Sequence, residues 1–194
     1  LYADYRTISA DVPAYSTPEV FLGLVPGWGG TYLLTHLIGV EHALKLIVEN
    51  PLNQNRMIKG KDAFALGCAD RLIEPVTFLE ESLGFAAGVI AGTEKVERAA
   101  VSTDENAWNA AISAGRKLAE QRTGGAAISA TRALDLVEAA RTADRADAFE
   151  AENQALADLI MSDELRAGHA GAVGELEGDI GGVGRRGDDA VELV

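Results

Sequence analysis

From Pro18 to Thr31 the chain reads Pro-Glu-Val-Phe-Leu-Gly-Leu-Val-Pro-Gly-Trp-Gly-Gly-Thr, an apolar run with one carboxylate that ends in a glycine-rich turn. Thr17 precedes a proline and is therefore biased to an extended backbone, so the Thr-Pro step fixes where Glu19 points. Pro26-Gly27 is a strong turn signal. Glycines at 27, 29 and 30 let the backbone approach a ligand and expose amide N–H groups. A helix opening near Thr31 adds the favourable field of its N-terminus. A loop that only needs glycine for positive φ gives the same letters. Glu19 likewise has two readings. Burial without a partner raises a glutamate's pKa toward values where it holds a proton near neutral pH, which suits proton transfer. A solvated acid at a strand entrance is the other, since structural acids also sit beside strands.

Around this stretch the pattern alternates short extended pieces with helices. Residues 4–9 read as a strand, broken by Asp11-Val12-Pro13, and Ala14-Tyr15-Ser16 as a short second strand. Helical patterns cover Thr31 to Ile38 and Val40 to Glu49, with Gly39 between them and Asn50-Pro51 as the stop. A polar loop runs to Arg56; Lys61 to Leu66 is a short helix and Ala69 to Ile73 a short strand or exit segment. Phe78 to Ala91 is a helix with apolar positions Leu79, Leu83, Ala86, Ala87 and Ile90. After a polar linker at 93–105, helices are expected from Ala107 to Glu120, from Ser129 to about Thr142 and from Asp144 to Leu165. Phe149, Leu156, Leu159, Ile160 and Leu165 share one side of the last. Three regions follow: a core over 1–100, a helical region over 101–167 and a glycine-rich tail over 168–194. The tail holds eight glycines and few large apolar residues, too few to offset its ordering entropy, and reads as disordered or aberrant. Gly178 to Gly184 does not meet the Gly-x-Gly-x-x-Gly register of a dinucleotide loop, and no strand precedes it.

Composition removes several functions. The formal charge of −13 and the lack of a basic stripe argue against nucleic acid as a partner. No apolar run reaches the length of a membrane span and no signal peptide opens the chain, so neither a membrane nor export is expected. Cys68 is the single cysteine, which excludes an internal disulfide and fits a reducing, cytoplasmic setting. In its apolar surroundings it reads as a small core residue. His36 and His42 stand six apart and share no helix face, so no metal site is expected.

Pro18-Glu19 followed by Leu22-Gly23-Leu24-Val25-Pro26-Gly27-Trp28-Gly29-Gly30-Thr31 resembles the second active-site motif of the enoyl-CoA hydratase/isomerase (crotonase) family. The opening Leu1-Tyr2-Ala3-Asp4-Tyr5-Arg6 is similar to the end of the family's preceding motif. Asn50-Pro51-Leu52-Asn53-Gln54-Asn55-Arg56 and Ser162-Asp163-Glu164-Leu165-Arg166-Ala167-Gly168 resemble the hydratase part of bacterial multifunctional fatty-oxidation proteins, which a 3-hydroxyacyl-CoA dehydrogenase follows. The resemblance implies an α/β fold, the C-terminal half of a crotonase-like ββα-spiral core with a helical C-terminal region. It gives Glu19 the role of one of two catalytic acids. It makes Gly27 the residue whose amide helps hold the water, and puts Pro26, Trp28 and Gly29 beside the substrate. Trp28 stands where the family often has a small residue.

The implied reaction is hydration of a 2-enoyl-CoA thioester in fatty-acid β-oxidation, with acyl-CoA as substrate and no bound cofactor. NAD would serve only a fused dehydrogenase, and a homo-oligomer or such a fusion is the expected assembly. The other acid and the oxyanion amides belong to motifs upstream of the residue equivalent to Leu1. The chain begins without methionine inside an element, so it is expected to be a fragment and inactive by itself. A Δ3,Δ2-enoyl-CoA isomerase, which uses a single glutamate, is the alternative within the family. A non-catalytic helical interaction module over 105–166 is the alternative outside it. The two classes differ in whether those helices cover their own core or leave an apolar face exposed.

Overall fold

The computed structural model describes residues 1–167, so the expectation for the glycine-rich tail lies outside the described residues. The α/β expectation is met only at the scale of one strand pair. β1 (Thr7–Ser9) runs parallel to β2 (Arg71–Ile73), with Ile8 opposite Leu72, and the remaining described elements are helical. Ala14-Tyr15-Ser16 forms no strand. Tyr15 makes a single antiparallel bridge to Ile58, because Pro13 and Pro18 flank it and leave little room for a ladder.

Pro18 and Glu19 open a 3-10 turn, Glu19–Leu22, which Gly23 ends at φ 83°. Then come α1 (Gly30–Ile38), α2 (Val40–Leu44), a π turn (Lys45–Glu49) continuing α2, and α3 (Gly60–Ala65). Beyond β2 lie α4 (Phe78–Ala91), α5 (Glu105–Thr123), α6 (Ile128–Ala139) and α7 (Arg145–Ile160). Two of these start on aspartate caps: Asp104 accepts from the Ala107 amide at 2.8 Å and Asp144 from the Asp147 amide at 2.9 Å.

The core gathers on the π turn. Leu46, Ile47 and Val48 are shut off from solvent, and α2, α5 and α6 pack around them. Trp108 of α5 is buried, and its indole N–H donates to the Val137 carbonyl of α6 at 3.1 Å, which answers the polar end of a large apolar side chain. Ile112, Ala130, Ala133, Leu134, Val137, Ala155 and Leu159 join the same core. Residues 105–166 thus cover a core shared with residues 8–69, which is the outcome that disfavours a free interaction module.

Two apolar stripes read from sequence differ from the structure. On α4, Leu79, Leu83 and Ile90 are exposed and only Phe85 is buried, because the helix meets β2 along a single narrow line. On α7, Ile160 is exposed at the last position of the helix, while Leu159 is buried. Cys68 lies in the core as expected, and burial pushes its thiol pKa up, which keeps it protonated and unreactive.

Candidate active site

The Thr17-Pro18 step delivers Glu19 to the start of the 3-10 turn. The residue is half-buried. Its Oε2 is enclosed and has no hydrogen-bond partner among the described residues. Burial raises the Glu19 pKa. Its own backbone amide offsets part of that, and the nearby negative charge of Glu152 adds to it. This is the environment of an acid that keeps its proton to higher pH than a free glutamate.

The glycine turn follows. Pro26 and Gly29 are buried, Gly27 is half-buried, and Trp28 is 84% exposed at φ 54°, an uncommon backbone for a bulky residue. Gly29 sits at φ 79° with the Phe149 ring packed where a side chain would begin, so both backbone and space demand glycine. A Cβ on Gly27 would lie 2.6 Å from Leu156 Cδ1. Phe149 and Leu156 both belong to α7, so that helix covers the turn from one side.

Between them on the same face of α7 stands Glu152, which is wholly buried. Its carboxylate accepts from the Gly29 amide, from the Gly30 amide at 3.2 Å and from the Thr31 amide at 2.7 Å, and the Thr31 hydroxyl donates to it as well. These are the orphan donors of the first turn of α1, and a carboxylate is the charge that a helix N-terminus favours. The amides of Gly29 and Gly30, which the glycine pattern alone would offer to a ligand, are therefore occupied by the protein itself. The Gly27 and Trp28 amides donate to no acceptor among the described residues. A second carboxylate does the same at α6: Glu164 accepts from the Ser129 amide at 3.0 Å and hydroxyl at 2.6 Å. Its helical turn, at 163–167, presses on Gly23, where a Cβ would come within 2.8 Å of the Glu164 backbone.

Sequence reasoning missed Glu152. A signal existed: 149, 152 and 156 recur at helical spacing, so an acid on an otherwise apolar stripe had to find donors. His36 and His42 stay apart, each with Nδ1 against the carbonyl one turn back, of Tyr32 and Ile38. No group of three or more metal-binding side chains occurs among the described residues, and no described helix is long and apolar enough to cross a membrane. Hollows of about 350, 480 and 400 Å³ lie between α2 and α5, beside Gly39 and Asp70, and around Leu1–Arg6; none is lined by Glu19 or by residues 26–30.

The fold is that of crotonase chains over about half their length. A crystal structure of an enoyl-CoA hydratase/isomerase from Pseudoalteromonas atlantica matches with a TM-score of 0.52 at 18% identity, over 89% of this chain and 54% of that one. No family model matches. Among curated proteins, the fatty acid oxidation complex subunit alpha of Idiomarina loihiensis is 29% identical over 174 residues, which are 86% of this chain and 23% of that protein. The short-chain-enoyl-CoA hydratase of Clostridioides difficile is 38% identical over 78 residues, 40% of this chain and 46% of that protein. The chain belongs to the crotonase (enoyl-CoA hydratase/isomerase) family. It spans about a quarter of the first relative and under half of the second.

Proposed function

We propose that these residues form the second-acid half of an acyl-CoA hydratase centre, the downstream part of a ββα-spiral core, acting on 2-enoyl-CoA thioesters in fatty-acid β-oxidation. The observation that carries this reading is Glu19: a half-buried carboxyl on a proline-fixed turn, with an enclosed oxygen and a raised pKa, one loop away from two undonated amides. Hydration adds the water oxygen to the β-carbon and a proton to the α-carbon, while the thioester oxygen gains and then loses enolate charge. Glu19 moves a proton in that exchange, a contribution of ~10²–10⁴-fold for a positioned acid or base. The Gly27 amide holds the water. Pro26 and Trp28 flank the acyl group, while Gly29, whose amide is taken by Glu152 and whose side-chain space is filled by the Phe149 ring, shapes the turn that presents them. A second acid and the oxyanion donors come from a part of the centre outside these residues, and a dehydrogenase fusion in the natural protein fits the multifunctional relatives.

Regions 1–100 and 101–167 serve this reading as the half-core and its helical cover. One observation favours the isomerase as a second reading. Glu152 is committed to amides, which leaves Glu19 as the single acid at the turn with an unpartnered oxygen among the described residues. An isomerase needs only one such acid. The test is an assay of the natural gene product with matched 2-enoyl and 3-enoyl thioesters. Water addition to the 2-enoyl substrate supports the hydratase. Double-bond migration in the 3-enoyl substrate without hydration replaces it with the isomerase, and no turnover of either contradicts both.

A further inference from the structure

The π turn does more than fill the core. In it the Asn50 amide donates to the Lys45 carbonyl at 2.9 Å, five residues back, so it no longer serves Leu46 as an α-helix would have it. The next residue in that register is Pro51, which has no N–H. The Leu46 carbonyl thus loses both main-chain donors, and it belongs to a residue with no solvent exposure. A buried carbonyl left alone is costly. Its donor comes from a distant part of the chain: the Thr17 hydroxyl, at 2.6 Å.

Thr17 stands two residues before Glu19. On its other side Tyr15 is clamped to Ile58 by amide–carbonyl bonds of 2.7 and 3.0 Å. After it the Pro18 carbonyl accepts from Leu22 at 3.2 Å and the Glu19 carbonyl from Leu24 at 2.8 Å. The main chain around Glu19 is tied down by its own turn, and side chains hold that turn to the body of the protein on both sides of the acid: Thr17 before it, and after it the Ser129 hydroxyl of α6, which donates to the Val20 carbonyl at 3.2 Å. We propose that Thr17 is a positioning residue for the proton-transfer acid: its hydroxyl seats the Thr17-Pro18 step on the carbonyl that the π turn and Pro51 orphan, and so sets where the Glu19 carboxyl points. This rests on the assignment of Glu19 above, but its test needs no turnover.

The test is the titration of the Glu19 side-chain carboxyl carbon by NMR in the full 194-residue chain, assigned with Glu19→Gln. Two carboxylates bear on this turn, Glu152 of α7, whose negative charge acts on Glu19, and Glu164, which accepts from the Ser129 that bonds the Val20 carbonyl; both are unchanged in every variant. Thr17→Val keeps the shape and removes the donor. It is expected to let the carboxyl reach water and move its midpoint down toward the ordinary glutamate range, and Thr17→Ser is expected to keep the wild-type midpoint. Thr17→Val also leaves the Leu46 carbonyl bare, so Pro51→Ala is added to restore a main-chain donor. The double variant is expected to recover stability while the midpoint stays low. A wild-type midpoint in Thr17→Val, or in the double variant if the single one fails to fold, overturns the proposal. An inactive gene product would overturn the hydratase reading without touching this titration.

Discussion

Glu152 and Thr31 face each other across 121 residues of sequence, both buried, with Glu152 Oε1 2.7 Å from the Thr31 amide. The same carboxylate also takes the amides of Gly29 and Gly30. One side chain thus closes the N-terminus of α1 and pins the glycine turn to α7. Glu152→Gln keeps one acceptor oxygen but turns an NH2 group toward N–H donors. It is expected to destabilise the fold by about 2 kcal/mol, and Glu152→Ala by on the order of 3 kcal/mol or more, because several buried donors then lack partners. Urea denaturation of the purified chain measures both.

Gly29 is the counterpart on the turn. Gly29→Ala combines a positive φ with a collision against Phe149, and it is expected to cost about 2–4 kcal/mol. Adding Phe149→Ala makes room but leaves the backbone strain, so the double variant is expected to lose less than the sum of the two single losses. A double-mutant cycle on denaturation free energies reads this coupling.

Asp70 ties the start of the chain to the linker after α4. Its buried carboxylate accepts from the Arg6 amide at 2.7 Å and from Arg98 Nε at 2.7 Å. Burial alone would lift its pKa, but these hydrogen bonds and the two guanidinium charges bring it below the ordinary aspartate range. A depressed carboxyl adds stability above its unfolded pKa and loses it as pH falls through the folded one. Asp70→Asn is expected to cost about 1–3 kcal/mol at neutral pH and to flatten the acid limb of the stability curve. Denaturation midpoints across the acid range check it.

Glu19 has the opposite sign. The folded chain holds its proton more tightly than the unfolded chain, so stability falls as pH rises from the ordinary glutamate range through the raised folded value. Glu19→Gln removes that loss. Its denaturation midpoint is expected to exceed the wild type's increasingly as pH climbs toward neutrality, which the same series of midpoints measures.

What local patterns encode, the sequence displays. The Thr-Pro step, the turn at Pro26-Gly27, the helix Phe78–Ala91 and the small strand ending at Ile73 each leave a signature within a few residues, and the structure forms them. Long-range closure is less visible. Glu152 reads as one more charge in a charged helix until Gly29 to Thr31 arrive from the far end of the chain to claim it. The bond from Thr17 to Leu46 depends on a π turn that no periodicity announces, although Pro51 marks the missing donor. The α4 stripe misleads for a related reason: apolar spacing says that a face avoids water, but not what covers it. Leu79, Leu83 and Ile90 have no cover among the described residues.

In the proposed reaction Glu19 moves the proton. The most direct measurement compares 2-enoyl-CoA hydration by the natural gene product with that of its Glu19→Gln variant, with thioester binding followed in parallel. The expected result is a fall in turnover of ~10²–10⁴-fold with binding retained. Turnover within a few-fold of the wild type, at the same affinity, would contradict it.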